Sequence, residues 1–217
     1  MPTTFADLRD EVQIILQDTS TNFSARIEAA LNEALFDVAE ECISVGGIPA
    51  LKEIGIFTTV VDQAWTTLPT GFNGKLLFAG NDSNRLAIAD SGVEELMEES
   101  PLLDQSGSVH TVALEGNILY YQGIPTSATT YPILYQINPT AWSADADVVP
   151  SWVPQHLART LFVYKAASIL FNVVEDGIDG EKVNTASNLG LYAKYLQDMK
   201  HYLGRRRRSA NRSAWLF

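Results

Sequence analysis

A chain of 217 residues with 46% hydrophobic residues is long enough for one large domain or two small ones, and too apolar to be a disordered chain. Its single cysteine, Cys42, excludes an internal disulfide, as expected of a protein made in a reducing cytosol. Twenty-six acidic against fifteen basic residues give a formal net charge of −11, which argues against nucleic-acid or acidic-membrane binding by the body of the protein.

The N-terminus, Met-Pro-Thr-Thr-Phe-Ala-Asp, lacks the charged and then apolar run of a signal peptide. No apolar stretch reads as approaching the roughly 20 residues of a membrane span, so a soluble protein with no membrane partner is expected. Residues 4–47 read as two helices. Thr4 and Asp7 form a capping pair, and Phe5, Leu8, Val12 and Ile15 follow at helical spacing. The second helix starts near Ser24 and carries Ile27, Leu31, Ala34, Leu35, Val38 and Cys42 on one stripe. Its other face is acidic, with Glu28, Glu33, Asp37, Glu40 and Glu41. Gly46, Gly47 and Pro49 stop it.

From about 54 to 140 the period changes. Ile54–Asp62, Lys75–Ala79, Arg85–Ala89, Val109–Leu114, Ile118–Gln122 and Tyr131–Asn138 are short, β-branched or aromatic, and bounded by turn residues. Glu115-Gly116-Asn117 predicts a tight turn, making Val109–Gln122 a hairpin. Tyr131, Ile133, Tyr135 and Ile137 share one side of their strand. A short acidic helix, Val93–Glu98, interrupts the sheet. After Pro150 helices return. Ser151 is the expected cap, Pro154 falls in the first turn, and Leu157, Leu161, Tyr164, Ser168 and Ile169 form the buried stripe. A turn at 176–180 leads to a last helix over about 181–203, with Leu189, Tyr192, Leu196, Met199 and Leu203 needing a packing partner along its length.

The expected fold class is therefore α+β, mainly α. Both chain ends form a four-helix bundle, with a small antiparallel β-domain inserted and an extended C-terminal arm. The expected divisions are 1–50 for the first helix pair, 51–148 for the β-rich insert, 149–204 for the second helix pair and 205–217 for the arm.

Nothing argues for catalysis, and no catalytic, cofactor-binding or metal residues are assigned. His110, His156 and His201 lie on three different elements with no ligand neighbour at metal spacing. Asp176, Asp179 and Glu181 read as a helix–helix turn, because the spacing is not that of a calcium loop. Gly46-Gly47 ends a helix, where a phosphate loop would open one. The adjacent carboxylates Glu40/Glu41, Glu94/Glu95 and Glu98/Glu99 point apart on helices and read as solvated acidic faces.

Assembly is better supported. The tail from Arg205 to Phe217 holds Arg205, Arg206, Arg207, Arg208 and Arg212 and no acid, leaving a net −16 on the rest. Four adjacent guanidinium groups repel, and only Trp215, Leu216 and Phe217 are apolar, so the tail reads as an arm that docks elsewhere. Aromatic residues also cluster near loops: Trp65, Phe72, Trp142 and Trp152. Trp142 and Trp152, where sheet passes to helix, read as core plugs or as subunit contacts.

The order of these pieces resembles the head–tail adaptor (head-completion, connector) proteins of tailed bacteriophages. The resemblance rests on Arg26–Leu35, with Asn32-Glu33-Ala34, in the second helix, and on Leu68-Pro69-Thr70-Gly71-Phe72 at the start of the sheet. It rests further on Gly116–Tyr121, Gly123-Ile124-Pro125 and Tyr131–Tyr135 as paired strands, and on Asp147–Trp152 leading into the third helix. It covers nearly the whole chain.

What the resemblance implies is a structural protein of the virion, at the head–tail junction and assembled in the bacterial host cytoplasm. Such a protein forms a ring of about twelve subunits beneath the portal protein and offers a platform to a downstream tail or nozzle protein. Genomic DNA passes through its channel without specific binding, and the C-terminal arm, Arg205–Phe217, docks on the portal. Thirteen extended residues reach at most roughly 45 Å. Two other classes compete: a nucleic-acid-binding protein using the arginine arm, and a tail-associated cell-wall hydrolase, for which no carboxylate pair can be named.

Overall fold

The computed structural model describes residues 2–17, 21–45, 47–68, 72–80, 85–175 and 182–213. They fall into two compact units, Met1–Pro49 with Pro139–Phe217, and Ala50–Asn138. Residues 139–148, expected in the insert, group with the helices.

The helical unit contains α1 (Phe5–Leu16), α2 (Thr21–Glu41), α4 (Gln155–Val174) and α5 (Val183–Ser213). The capping box at the start of α1 forms as expected. The Thr4 hydroxyl accepts from the Asp7 N–H, and the Asp7 carboxylate accepts from the Thr4 N–H at 2.8 Å. The α2 stripe Ile27, Leu31, Ala34, Leu35, Val38 and Cys42 is wholly buried.

α4 is the centre of the unit and packs against α1, α2 and α5. It therefore buries more than the one stripe expected. Ala158, Phe162, Val163, Ala166, Ala167 and Leu170 are inside, together with Leu157, Leu161 and Ser168, whereas Tyr164 and Ile169 are only half-buried. A helix surrounded by other helices is apolar nearly all round. For the same reason α4, at 20 residues, is long and apolar enough by composition to cross a membrane, which the sequence reading missed. Half of that stretch is buried against the other helices, and the helix carries Arg159 and Lys165. Its start also differs from expectation: Pro154, not Ser151, is the cap residue, and no side chain caps it.

α5 buries Tyr192, Leu196, Met199 and Leu203. Leu189 is 47% exposed, and Asn188 takes its place, donating to the Asn184 carbonyl. Either residue satisfies a three-and-four spacing, so periodicity alone did not separate them. The first turn of α5 is capped from the end of α4. The Glu175 carboxylate accepts from the Asn184 and Thr185 N–H groups, both at 3.1 Å, and from the Thr185 hydroxyl at 2.7 Å. An anion at a helix N-terminus meets both the orphan donors and the helix dipole.

Among its described residues the second unit contains seven strands and one α-helix. β1 (Lys52–Thr58), β7 (Thr130–Ile137) and β3 (Phe72–Ala79) form one sheet in that order. β2 (Trp65–Thr67), β6 (Ile118–Gln122), β5 (Thr111–Glu115) and β4 (Ala87–Ile88) form the other. Phe57, Leu76, Tyr131, Ile133 and Tyr135 of the first sheet share a core with Val112, Leu119 and Tyr121 of the second. This is the alternation expected for β7. The buried Tyr121 hydroxyl accepts from the Val60 N–H at 2.9 Å and donates to the Trp65 carbonyl at 3.2 Å.

β5 and β6 form the expected hairpin around Gly116. The insert is not wholly antiparallel, because β4 pairs parallel with β5. The chain crosses from one to the other through α3 (Val93–Glu99), whose Leu96 packs on Ala113, the face of β5 turned away from the shared core. β2 is a strand of three residues that the sequence reading missed, too short to show a period.

Gly123 follows β6 with φ +88°, and a Cβ there would lie 2.3 Å from the Ser108 carbonyl oxygen. Gly123→Ala is expected to destabilise the protein by about 2 kcal/mol, read as a lowered urea midpoint. An unchanged midpoint would show that this close approach is not needed.

Candidate functional site

The histidines do not converge. His110, His156 and His201 are all exposed, and among the described residues no group of three or more metal-ligating side chains comes together. Asp176, Asp179 and Glu181 lie outside the described residues. Glu94, Glu95, Glu98 and Glu99 are exposed on α3, where Glu95 accepts from the Ser91 N–H.

Trp142 and Trp152 are 6% and 7% exposed. Their rings sit inside the subunit's own core, the first of the two readings that the sequence left open. Trp142 stacks on Phe5 at 5.5 Å and meets Phe162 edge-on at 5.1 Å. Trp65, by contrast, is 42% exposed on β2, and Phe72 packs on Tyr135 at 5.6 Å.

Trp142 belongs to the segment that returns the chain to the helices. That segment has no regular partner strand, so its backbone groups are satisfied one at a time. Asn32, in mid-helix, imitates a neighbouring strand. Its Oδ1 accepts from the Trp142 N–H at 2.8 Å and its Nδ2 donates to the Trp142 carbonyl at 3.1 Å. The first N–H groups of α1, on Phe5 and Ala6, donate to the carbonyls of Asp147 and Asp145. The Asp147 carboxylate accepts from the Ser143 and Ala144 N–H groups, which hold it below the usual range. A hydrogen bond from Arg9, at 2.7 Å, does the same for Asp145.

The acidic face of α2 is only partly solvated, which corrects the expectation. Glu28 pairs with Arg9 of α1 at 3.1 Å. Asp37 pairs with Lys165 of α4, and Glu41 with Lys200 of α5, each at 2.7 Å. Arg159 of α4 pairs with Glu11 of α1. Asp37, Glu40 and Glu41 line a cleft of about 450 Å³ with Lys165 and Tyr192. The carboxylates are legible in the sequence and the cations facing them are not, because those come from α4 and α5.

The arm differs from expectation in its first part. α5 continues to Ser213, so Arg205–Arg208 and Arg212 lie on helical backbone rather than extended chain. Arginine is a good helix former, successive residues fan out around the axis, and cations suit a helix C-terminus. Nine helical residues advance about 13 Å, so the reach is shorter than the extended-chain limit. The arginine side chains, and Trp215, Leu216 and Phe217, lie outside the described part of the structure.

A family model described as SU10 adaptor protein matches residues 3–214. The chain belongs to that family. It is a phage head–tail adaptor, a structural protein of the virion's head–tail junction that associates with portal and tail proteins. No curated protein matches the chain. The adaptor's Asn32-Glu33-Ala34 segment, part of the resemblance, has a structural reason in the bonds to Trp142.

Asn32→Ala leaves both Trp142 backbone groups unpaired and is expected to cost about 2 kcal/mol, read in urea unfolding. The pH dependence has a definite sign. Asp7, Asp145, Asp147 and Glu175 have folded pKa values below their ordinary values of 3.8 for Asp and 4.5 for Glu. Their contribution is present above those ordinary values and is lost as pH falls through the lower folded ones. The urea midpoint should stay level from about pH 7 to about pH 5 and drop below about pH 4. A midpoint that rises there would contradict these assignments.

Proposed function

We propose that the adaptor forms a closed ring of about twelve subunits under the portal, extends the DNA channel, and presents a platform to the next tail component. The segment Arg205–Phe217 docks on the portal and thereby directs ring closure to the right place. The observation that carries this reading is the segregation of charge within a family member: five arginines and no acid in the last thirteen residues, against a net −16 elsewhere. Arginine forks pair with carboxylates in two-point contacts, and the apolar Trp215-Leu216-Phe217 tip supplies an anchor. Association after the portal is in place, during assembly in the host cytoplasm, avoids premature rings. An acidic channel wall repels phosphates and lets DNA slide during ejection.

Deleting Arg205–Phe217 should leave a folded subunit that no longer adds to portal rings. Native mass spectrometry of the full chain, alone and with portal, reads this directly. The full chain is expected to add about twelve copies per portal ring. A folded deletion variant that binds portal as well as the full chain would overturn the role of the arm.

A further inference from the structure

The cleft between α2, α4 and α5 has two features that its own cations do not satisfy. Lys165 holds Asp37 and Lys200 holds Glu41, but Glu40, one turn beyond Asp37 on the same side of α2, has no ion-pair partner among the described residues. Tyr192, 6% exposed, also lines the cleft, and its hydroxyl is buried without a hydrogen-bond partner. A buried orphan hydroxyl is uncommon, because leaving it unpaired costs more than a typical hydrogen bond contributes. Lys165 lies over the Tyr192 ring, 5.2 Å from its centre, so the cleft already accommodates a cation against that aromatic face.

An acceptor on the rim, an unpartnered phenol below it and an aromatic wall suit a guanidinium. Its planar fork can meet a carboxylate and still have N–H groups for a phenol oxygen. The Arg205–Arg212 stretch of the same subunit does not reach it. From Tyr192 to Arg205 the backbone is continuous helix, which at 1.5 Å per residue carries Arg205 about 20 Å away along the axis. A second copy has no such constraint. Along α5, Arg205, Arg208 and Arg212 recur at three- and four-residue spacing.

We propose that this cleft receives an arginine from the Arg205–Arg212 stretch of a second copy of the chain, with Glu40 and Tyr192 as its recognising groups. The contact is heterologous, the arm of one subunit on the body of the next, as a ring requires. It rests on the ring reading above. It divides the arm in two: the arginine-rich helix holds the neighbouring subunit, and the Trp215-Leu216-Phe217 tip remains for the portal.

The test is titration of a fluorescent synthetic peptide of residues 203–217 into the full-length protein, followed by fluorescence anisotropy. Glu40→Gln and Tyr192→Phe are each expected to weaken binding about tenfold. Replacing Arg205, Arg208 and Arg212 of the peptide by Gln is expected to remove it. Tyr192→Phe deletes one oxygen that makes no hydrogen bond among the described residues, so its urea midpoint should not fall, which separates recognition from folding. Absence of peptide binding, or binding indifferent to both substitutions, overturns the proposal. If portal binding is nonetheless lost on deleting Arg205–Phe217, the proposal fails while the adaptor reading stands.

Discussion

Closure of the helical unit across an insertion is the constraint on which the rest of this protein depends. The chain leaves the helices near Pro49 and returns at Pro139. The returning segment is irregular, and an irregular segment beside a core must have its backbone polar groups paired. Asn32 does this for Trp142 from the middle of α2, and the open N-terminus of α1 does it for Asp145 and Asp147. Once the backbone is held, the Trp142 ring can fill the space between Phe5 and Phe162. Helices from both ends of the chain then share one core centred on α4.

The same economy governs charge. An acidic body would resist compaction if its carboxylates faced only one another. Here cations from α1, α4 and α5 meet the acids of α2, so the helix richest in carboxylates is tied to each of its neighbours. Each exposed pair contributes little alone. Their joint effect is to leave Glu40 without an ion-pair partner among the described residues of the cleft.

Burial of the two tryptophans changes where subunit contacts should be sought. Large aromatics near a junction are equally good as core plugs and as interface anchors, and only their surroundings decide. With Trp142 and Trp152 enclosed, their rings belong to the subunit's own core, while Trp65, Ile54 and Ile56 remain exposed on the β-rich unit.

Sequence alone is enough for local structure wherever a single period operates. The capping box at Thr4, the α2 stripe, the β5–β6 hairpin around Gly116 and the one-sided pattern of β7 follow from residue spacing and turn chemistry. It also determined the charge asymmetry that marks the tail, because charge is additive and needs no fold. Tertiary structure decided the remainder. It made α4 a central helix buried beyond one stripe, put Asn188 rather than Leu189 inside, turned β4 parallel to β5 and placed Lys165 and Lys200 opposite α2. Each of these depends on what lies across a contact from a residue distant in the chain, and periodicity carries information about faces, not about what a face meets.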